Sequence, residues 1–167
     1  MAEYTPVFHN IPPLWAPDSR VLILGSFPSP KSRQQGFFYG HPRNRFWPVL
    51  AAVYGEAPPG TVEEKRALAL RHHLALWDTV ASCEIIGASD AAIRNPRPND
   101  LMSIIRASQI HAVFCTGATA FRLYEKLCLE DTGLPAHCLP STSPANAAWS
   151  LERLIEAYGV IAQASED

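Results

Sequence analysis

Three short stretches of this chain concentrate hydroxyl, amide and imidazole groups: GSFPS at 25–29, HPRN at 41–44 and STSPAN at 141–146. A carboxylate, Asp78, ends the apolar run LALWD at 74–78. Short Ser and Thr side chains beside unhindered backbone amides suit contacts to phosphate oxygens. Asn44 offers an amide oxygen that accepts from a water, or that caps the helix after it. An ionised Asp78 only accepts, so it favours a ligand edge presenting an N–H and repels a bare ring nitrogen. The alternative is a structural carboxylate holding loop amides. The phosphate-gripping GxxxxGK(S/T), dinucleotide GxGxxG and hydrolase GxSxG patterns are all absent, which removes three common chemistries. Cys83, Cys115, Cys128 and Cys138 form no CxxC or CxxH pair, so buried thiols are expected and no metal.

The stretch GFFYGHPRNRFWP at 36–48 has neither helical nor strand periodicity. Phe37, Phe38 and Tyr39 next to arginines suit stacking on a flat, electron-rich ligand such as a nucleobase. Phe46 and Trp47, in the first turns of a helix, are expected in the core. Net charge is −2, yet no acidic residue lies between Asp18 and Glu56, where Arg20, Lys31, Arg33, Arg43 and Arg45 fall. A nearly neutral chain can therefore still have one basic face.

The elements that must position these groups alternate. A Pro-rich extended arm (1–20) leads to VLILG (21–25), a continuous apolar run suited to a strand buried on both faces. A long loop to about Arg43 precedes a helix to Tyr54 that stops at Gly55. TVEE (61–64) is a capping box opening a helix to about His73. LALWDTV (74–80) reads as the second strand, SDAAIRNPRPND (89–100) as a polar loop, and Asn99 or Asp100 as the cap of a helix to Ala107. IHAVFC (110–115) and HCLP (137–140) read as the third and fourth strands. Helices at 118–129 and 147–158 follow them. Strands alternating with helices predict a parallel sheet covered on both faces, with ligands at the carboxyl ends of the strands. All the chemistry-bearing stretches fall in loops after strands. With 167 residues, 47% apolar and 18% charged, the chain fits one globular domain over 1–167. No run approaches the ~20 apolar residues of a membrane span, and no secretion pattern opens the chain, so a cytoplasmic location is expected.

GSFPS, FFYGHPRNRFWP, LWDTVASCE and LPSTSPAN, in that order, resemble the uracil-DNA glycosylase superfamily, and within it the hypoxanthine-DNA (deoxyinosine) glycosylase branch. The resemblance spans about 21–158. It implies an α/β/α sandwich around a four-stranded parallel sheet. It also implies a monomer that flips a deaminated base out of double-stranded DNA and hydrolyses its N-glycosidic bond without metal or cofactor. Single-stranded DNA remains open as a substrate. Relatives carry G-x-(Asp/Asn)-P in the first motif, where the third residue orients the attacking water. Phe27 stands there and can do neither job. Gly25, Ser26, Phe27 and Ser29 are then pocket wall and backbone donors, and the water falls to Asn44, because the hypoxanthine branch is similar at HPxNxFW. Ser141 occupies a usual His position, leaving a hydroxyl or amide to assist the departing base. Ser143 matches a phosphate clamp, and Asn146 caps the last helix or reaches DNA. Asp78 stands where relatives often carry a base-reading Asn, which favours hypoxanthine, uracil and xanthine over adenine. Phe37 or Phe38 stacks on the flipped base and His41 donates to the base or a phosphate. Lys31, Arg33, Arg43 and Arg45, with Arg94 and Arg97, hold the DNA backbone. Two alternatives stand beside this: a catalytically silent binding module on the same fold, motivated by Phe27 and Ser141, and a flavodoxin-like small-ligand domain.

Overall fold

A computed structural model describes residues 4–85 and 93–166. Residues 89–92 of the expected polar loop and 1–3 of the expected arm lie outside the described residues. Four parallel strands, β2 (Val21–Gly25), β3 (Leu74–Asp78), β6 (Ala112–Thr116) and β7 (Ala136–Leu139), form a sheet in the order β3-β2-β6-β7. All five residues of β2 are buried, as a strand covered on both faces requires. Val21 and Ile23 face a core built with α2 (Phe46–Val53), α3 (Val62–Arg71) and α7 (Leu151–Glu166). Leu22 and Leu24 face a second core with α4 (Met102–Arg106) and α5 (Ala118–Leu127). The result is the expected three-layer α/β sandwich.

The ends of several helices follow local chemistry. Thr61 Oγ1 accepts the Glu64 N–H at 3.1 Å and opens α3. Gly55, at φ 67, sits just past the end of α2 in a conformation that suits glycine. Other expectations are corrected. The loop after β2 contains a short helix, α1 (Pro30–Gln35), started by Ser29, whose Oγ accepts the Ser32 N–H. The last helix begins at Leu151, because Ser150 and not Asn146 accepts the Arg153 N–H. Neither Asn99 nor Asp100 caps α4 by a side-chain bond. Asn99 Nδ2 instead donates to the carbonyls of Asp78 (2.8 Å) and Val80 (3.3 Å), clipping the turn after β3. A short α6 (Leu129–Thr132) follows α5.

That turn also divides the expected second strand. β3 ends at Asp78, and β4 (Val80–Ile85) enters a separate antiparallel sheet, β1-β4-β5, with β1 (Thr5–Phe8) and β5 (Arg94–Pro98). Both edge strands carry proline, at Pro6 in β1 and at Pro96 and Pro98 in β5. Proline is tolerated on sheet edges, yet it makes such strands read as loop in sequence. The expected arm is thus tied down by strand pairing and by a bridge from Leu14 to Leu76. Cys83, Cys115 and Cys128 are buried, as anticipated, whereas Cys138 is exposed.

Candidate functional site

The carboxyl ends of the parallel strands open into a cavity of ≈ 1060 Å³. The chain leaves β2 toward β3 on one side and leaves β6 toward β7 on the other. A crevice therefore lies between the ends of two neighbouring strands, where ligands bind in such sheets. The GSFPS loop, His41, Asn44, Asp78 and the STSPAN loop all line it, together with Phe38, Tyr39 and Thr116.

Asp78 is set by strand register. It pairs with Gly25, and its Oδ1 lies so close to that glycine that a Cβ there would approach to 2.5 Å. Glycine at 25 is therefore a requirement of the carboxylate. Asp78 Oδ2 bonds His9 Nε2 at 2.8 Å, and both side chains are almost fully buried. Tyr39 adopts φ 54, uncommon for a non-glycine and frequent at functional sites. Its ring stacks on Phe46 at 3.9 Å, and its hydroxyl bonds Thr116 Oγ1 at 3.0 Å. Burial, and then the charge of Asp78, hold the Tyr39 phenol well above its ordinary range, so it remains a hydroxyl.

Asn44 sits at the start of α2. Its Oδ1 accepts the Phe46 N–H at 2.9 Å and the Thr142 hydroxyl at 2.8 Å. A backbone N–H can only donate, so the amide orientation follows from chemistry. The oxygen expected to receive a water is thus occupied by the Phe46 N–H and the Thr142 hydroxyl. Among the described residues Nδ2 has no protein partner, so the free function of Asn44 is that donor. Arg45 is also reassigned. Its Nη1 donates to Trp149 O, and its Nη2 to Ser143 O (3.2 Å) and Asn146 O (3.0 Å). It staples the STSPAN loop to α2 and is not free for DNA.

Within that loop, Ser141 Oγ accepts the Ser143 N–H and Ser143 Oγ accepts the Ala145 N–H. Asn146 Nδ2 donates to Ser141 O, so it fixes the loop from inside. His41 Nδ1 accepts the Arg43 N–H at 3.0 Å, which leaves Nε2–H as its donor. Of the two aromatics offered for base stacking, Phe38 lines the cavity. Phe37 does not: it stacks on Trp47 at 5.9 Å, with Arg66 over its ring. Phe27 forms part of the wall and packs on Val80, Cys83 and Ile85. Lys31 and Arg43 are exposed on segments whose residues Ser29, Ser32, His41 and Asn44 line the cavity. Arg33 donates to Pro28 O and lies over Phe27. Arg94 pairs with Glu84, and Arg97 is exposed on β5. Among the described residues, no group of three His, Cys, Asp or Glu side chains could hold a metal ion.

His9, the hydroxyl contact of Tyr39 with Thr116 and the stapling role of Arg45 are absent from the sequence reading. Tyr39 sits in the aromatic run already singled out, but its positive φ leaves no trace in composition. His9 has no motif around it, and its contact spans 69 residues.

A parallel sheet with a polar, aromatic-walled crevice at its carboxyl edge defines an α/β protein with a cavity at the switch point of the sheet, where ligands bind in such folds. The family model "Uracil DNA glycosylase superfamily" matches residues 12–159, and the chain belongs to that superfamily. Two curated relatives, both named hypoxanthine DNA glycosylase, come from Methanosarcina acetivorans and Methanosarcina barkeri. The first is 31% identical over 137 residues, 81% of this chain and 86% of its own length. The second is 32% identical over 140 residues, 82% and 87% respectively. A solution NMR structure from Methanosarcina acetivorans, described as a candidate uracil DNA glycosylase, superposes with a TM-score of 0.82 at 25% identity. It covers 98% of this chain and all of its own.

Proposed function

We propose that this protein is a monofunctional DNA glycosylase that excises deaminated bases, hypoxanthine foremost, from duplex DNA. One observation carries the reading: GSFPS, His41 and Asn44, Asp78 and STSPAN, scattered over more than a hundred residues, meet in one cavity. The flipped nucleotide enters this crevice, and flipping costs least where pairing is already weak. Phe38 and Phe27 wall the base. The carboxylate of Asp78 accepts the ring N–H that hypoxanthine, uracil and xanthine share, and repels the bare ring nitrogen of adenine. As the bond between the sugar C1′ and the base nitrogen lengthens, positive charge grows on the sugar and the electron pair leaves with the base. His41 Nε2–H, the Ser141 region and backbone amides supply donors to that anion. Water adds to C1′, and its proton ends on the departing base or solvent. Asn44 Nδ2 holds the reacting groups from the α2 side. Lys31 and Arg43 engage the phosphates on either side.

The test is incubation with duplex oligonucleotides carrying hypoxanthine, uracil or xanthine, followed by alkaline cleavage at abasic sites. Strand breaks at the hypoxanthine are expected. Intact strands on all three substrates would overturn the reading. They would instead favour a catalytically silent lesion-binding module, the alternative that Phe27 at the usual water-orienting position supports.

A further inference from the structure

The geometry points to His9 as the positioning residue for Asp78, delivered into the site by the arm that precedes the parallel sheet. The proposal rests on the glycosylase reading and deepens it, by assigning what holds the base-selecting carboxylate in place. His9 lies just past β1. Its backbone N–H donates to Ala81 O at 2.7 Å, and β1 pairs with β4 directly behind the Asp78 turn. Asn10 Nδ2 donates to Arg33 O at 3.0 Å, tying the arm to α1 as well. The imidazole is therefore carried by a framework held on two sides. Its side chain is only 4% exposed, and it is absent from the cavity wall.

The ring's own hydrogen bonds define its state. The Ile11 N–H donates to Nδ1 at 3.3 Å, so Nδ1 is bare. Nε2 then carries the proton and donates to Asp78 Oδ2 at 2.8 Å. The rings of Phe27 and Trp77 stand nearly perpendicular to the imidazole, with centroids 6.0 and 6.4 Å away, and flank it. One carboxylate oxygen is thereby spent on His9. The other, Oδ1, is pressed over Gly25, and both residues line the cavity. A carboxylate held at one oxygen has a single orientation for the other, which is what reading a base edge demands. Without the His9 donor, Asp78 is a buried charge stripped of its partner, and it must reorient. A misplacement of about 1 Å costs about 100-fold in rate.

The experiment compares single-turnover excision of hypoxanthine from a duplex by the unaltered protein, His9→Ala and His9→Gln, each also in an Asp78→Asn background. Affinity for a duplex carrying an uncleavable abasic-site analogue is measured alongside. His9→Ala is expected to lose about 100-fold in rate at unchanged affinity. His9→Gln, which restores an N–H at the same reach, is expected to recover most of it. In the Asp78→Asn background His9→Ala should cost nothing further, because the two residues act as one unit. Additive losses in the two backgrounds, or rate and affinity falling together, would mean that His9 merely holds the fold, and would overturn the assignment. Nitrogen-15 NMR of the unaltered protein gives a reading that needs neither variant nor turnover: Nε2 protonated and Nδ1 bare. A bare Nε2 would overturn the assignment by itself. An unaltered protein inert on every duplex, with the expected imidazole spectrum, would overturn the glycosylase reading and the rate effect while leaving the pairing of His9 with Asp78 in place.

Discussion

Asn44 shows how one side chain divides its labour. A capping oxygen and an unpartnered donor sit on the same amide, with Oδ1 held by Phe46 N–H and Thr142 O–H. Replacement by alanine would remove both functions and confuse capping with chemistry. Asn44→Asp separates them, because a carboxylate keeps the acceptor for the cap and replaces the Nδ2 donor. We expect its thermal midpoint to stay near that of the unaltered protein while single-turnover excision falls about 100-fold, the usual consequence of removing one preorganised donor. Unchanged or faster excision would show that an acceptor at this position serves the water after all. The place of Asn44 at the cavity was legible because the HPRN stretch stands out in sequence. The use of its oxygen was not, since Thr142 reaches it from 98 residues away.

Among the elements, the loop 141–149 depends on a residue outside it. Arg45 projects from the start of α2 and donates to three of the loop's carbonyls, and its own N–H donates to Thr142 O. Among the described residues no carboxylate pairs with it. Its two Nη groups meet carbonyl dipoles, the use to which the planar fork of arginine is suited, while Nε is buried with no partner among the described residues. Arg45→Ala would strand those acceptors, at about 1–3 kcal/mol for each that stays buried. A fall of about 3 kcal/mol in unfolding free energy is expected in urea titrations, with Arg45→Lys recovering less than half, since an ammonium cannot span three carbonyls. A loss below about 0.5 kcal/mol, typical of a surface substitution, would show that the staple is dispensable. The four parallel strands were readable because each is a short apolar run, and α3 because TVEE is a capping box. The antiparallel sheet was not. Its edge strands contain proline, and β3 and β4 are separated by a single residue, Thr79, with no glycine or proline to mark the turn. The sheet exists through pairing between β1 and β4, which no local window contains.

For the whole molecule, two charge arguments follow. Tyr39 and Tyr158 are both buried enough that burial raises their phenols above the ordinary value of 10.0. Below pH 10 they carry their protons in folded and unfolded chains alike. As pH rises past that value the unfolded chain releases protons that the folded one retains, so stability falls. The thermal midpoint should therefore drop as pH rises past about 10, and Tyr39→Phe should shallow that fall. The second argument concerns the basic face. A net charge of −2 gives no general affinity for DNA, so any salt dependence must come from particular cations near the cavity. Arg45 and Arg33 spend their guanidinium groups on internal carbonyls, whereas Lys31 and Arg43 are exposed on segments that also line the cavity. Binding to an abasic-analogue duplex should weaken as salt rises, and removing Lys31 or Arg43 should each lower the log–log slope by about 1. Arg33→Gln should leave the slope as it was. A slope reduced equally by all three variants would place Arg33 on the phosphates, and would mean that its contacts with Pro28 and Phe27 give way when DNA arrives.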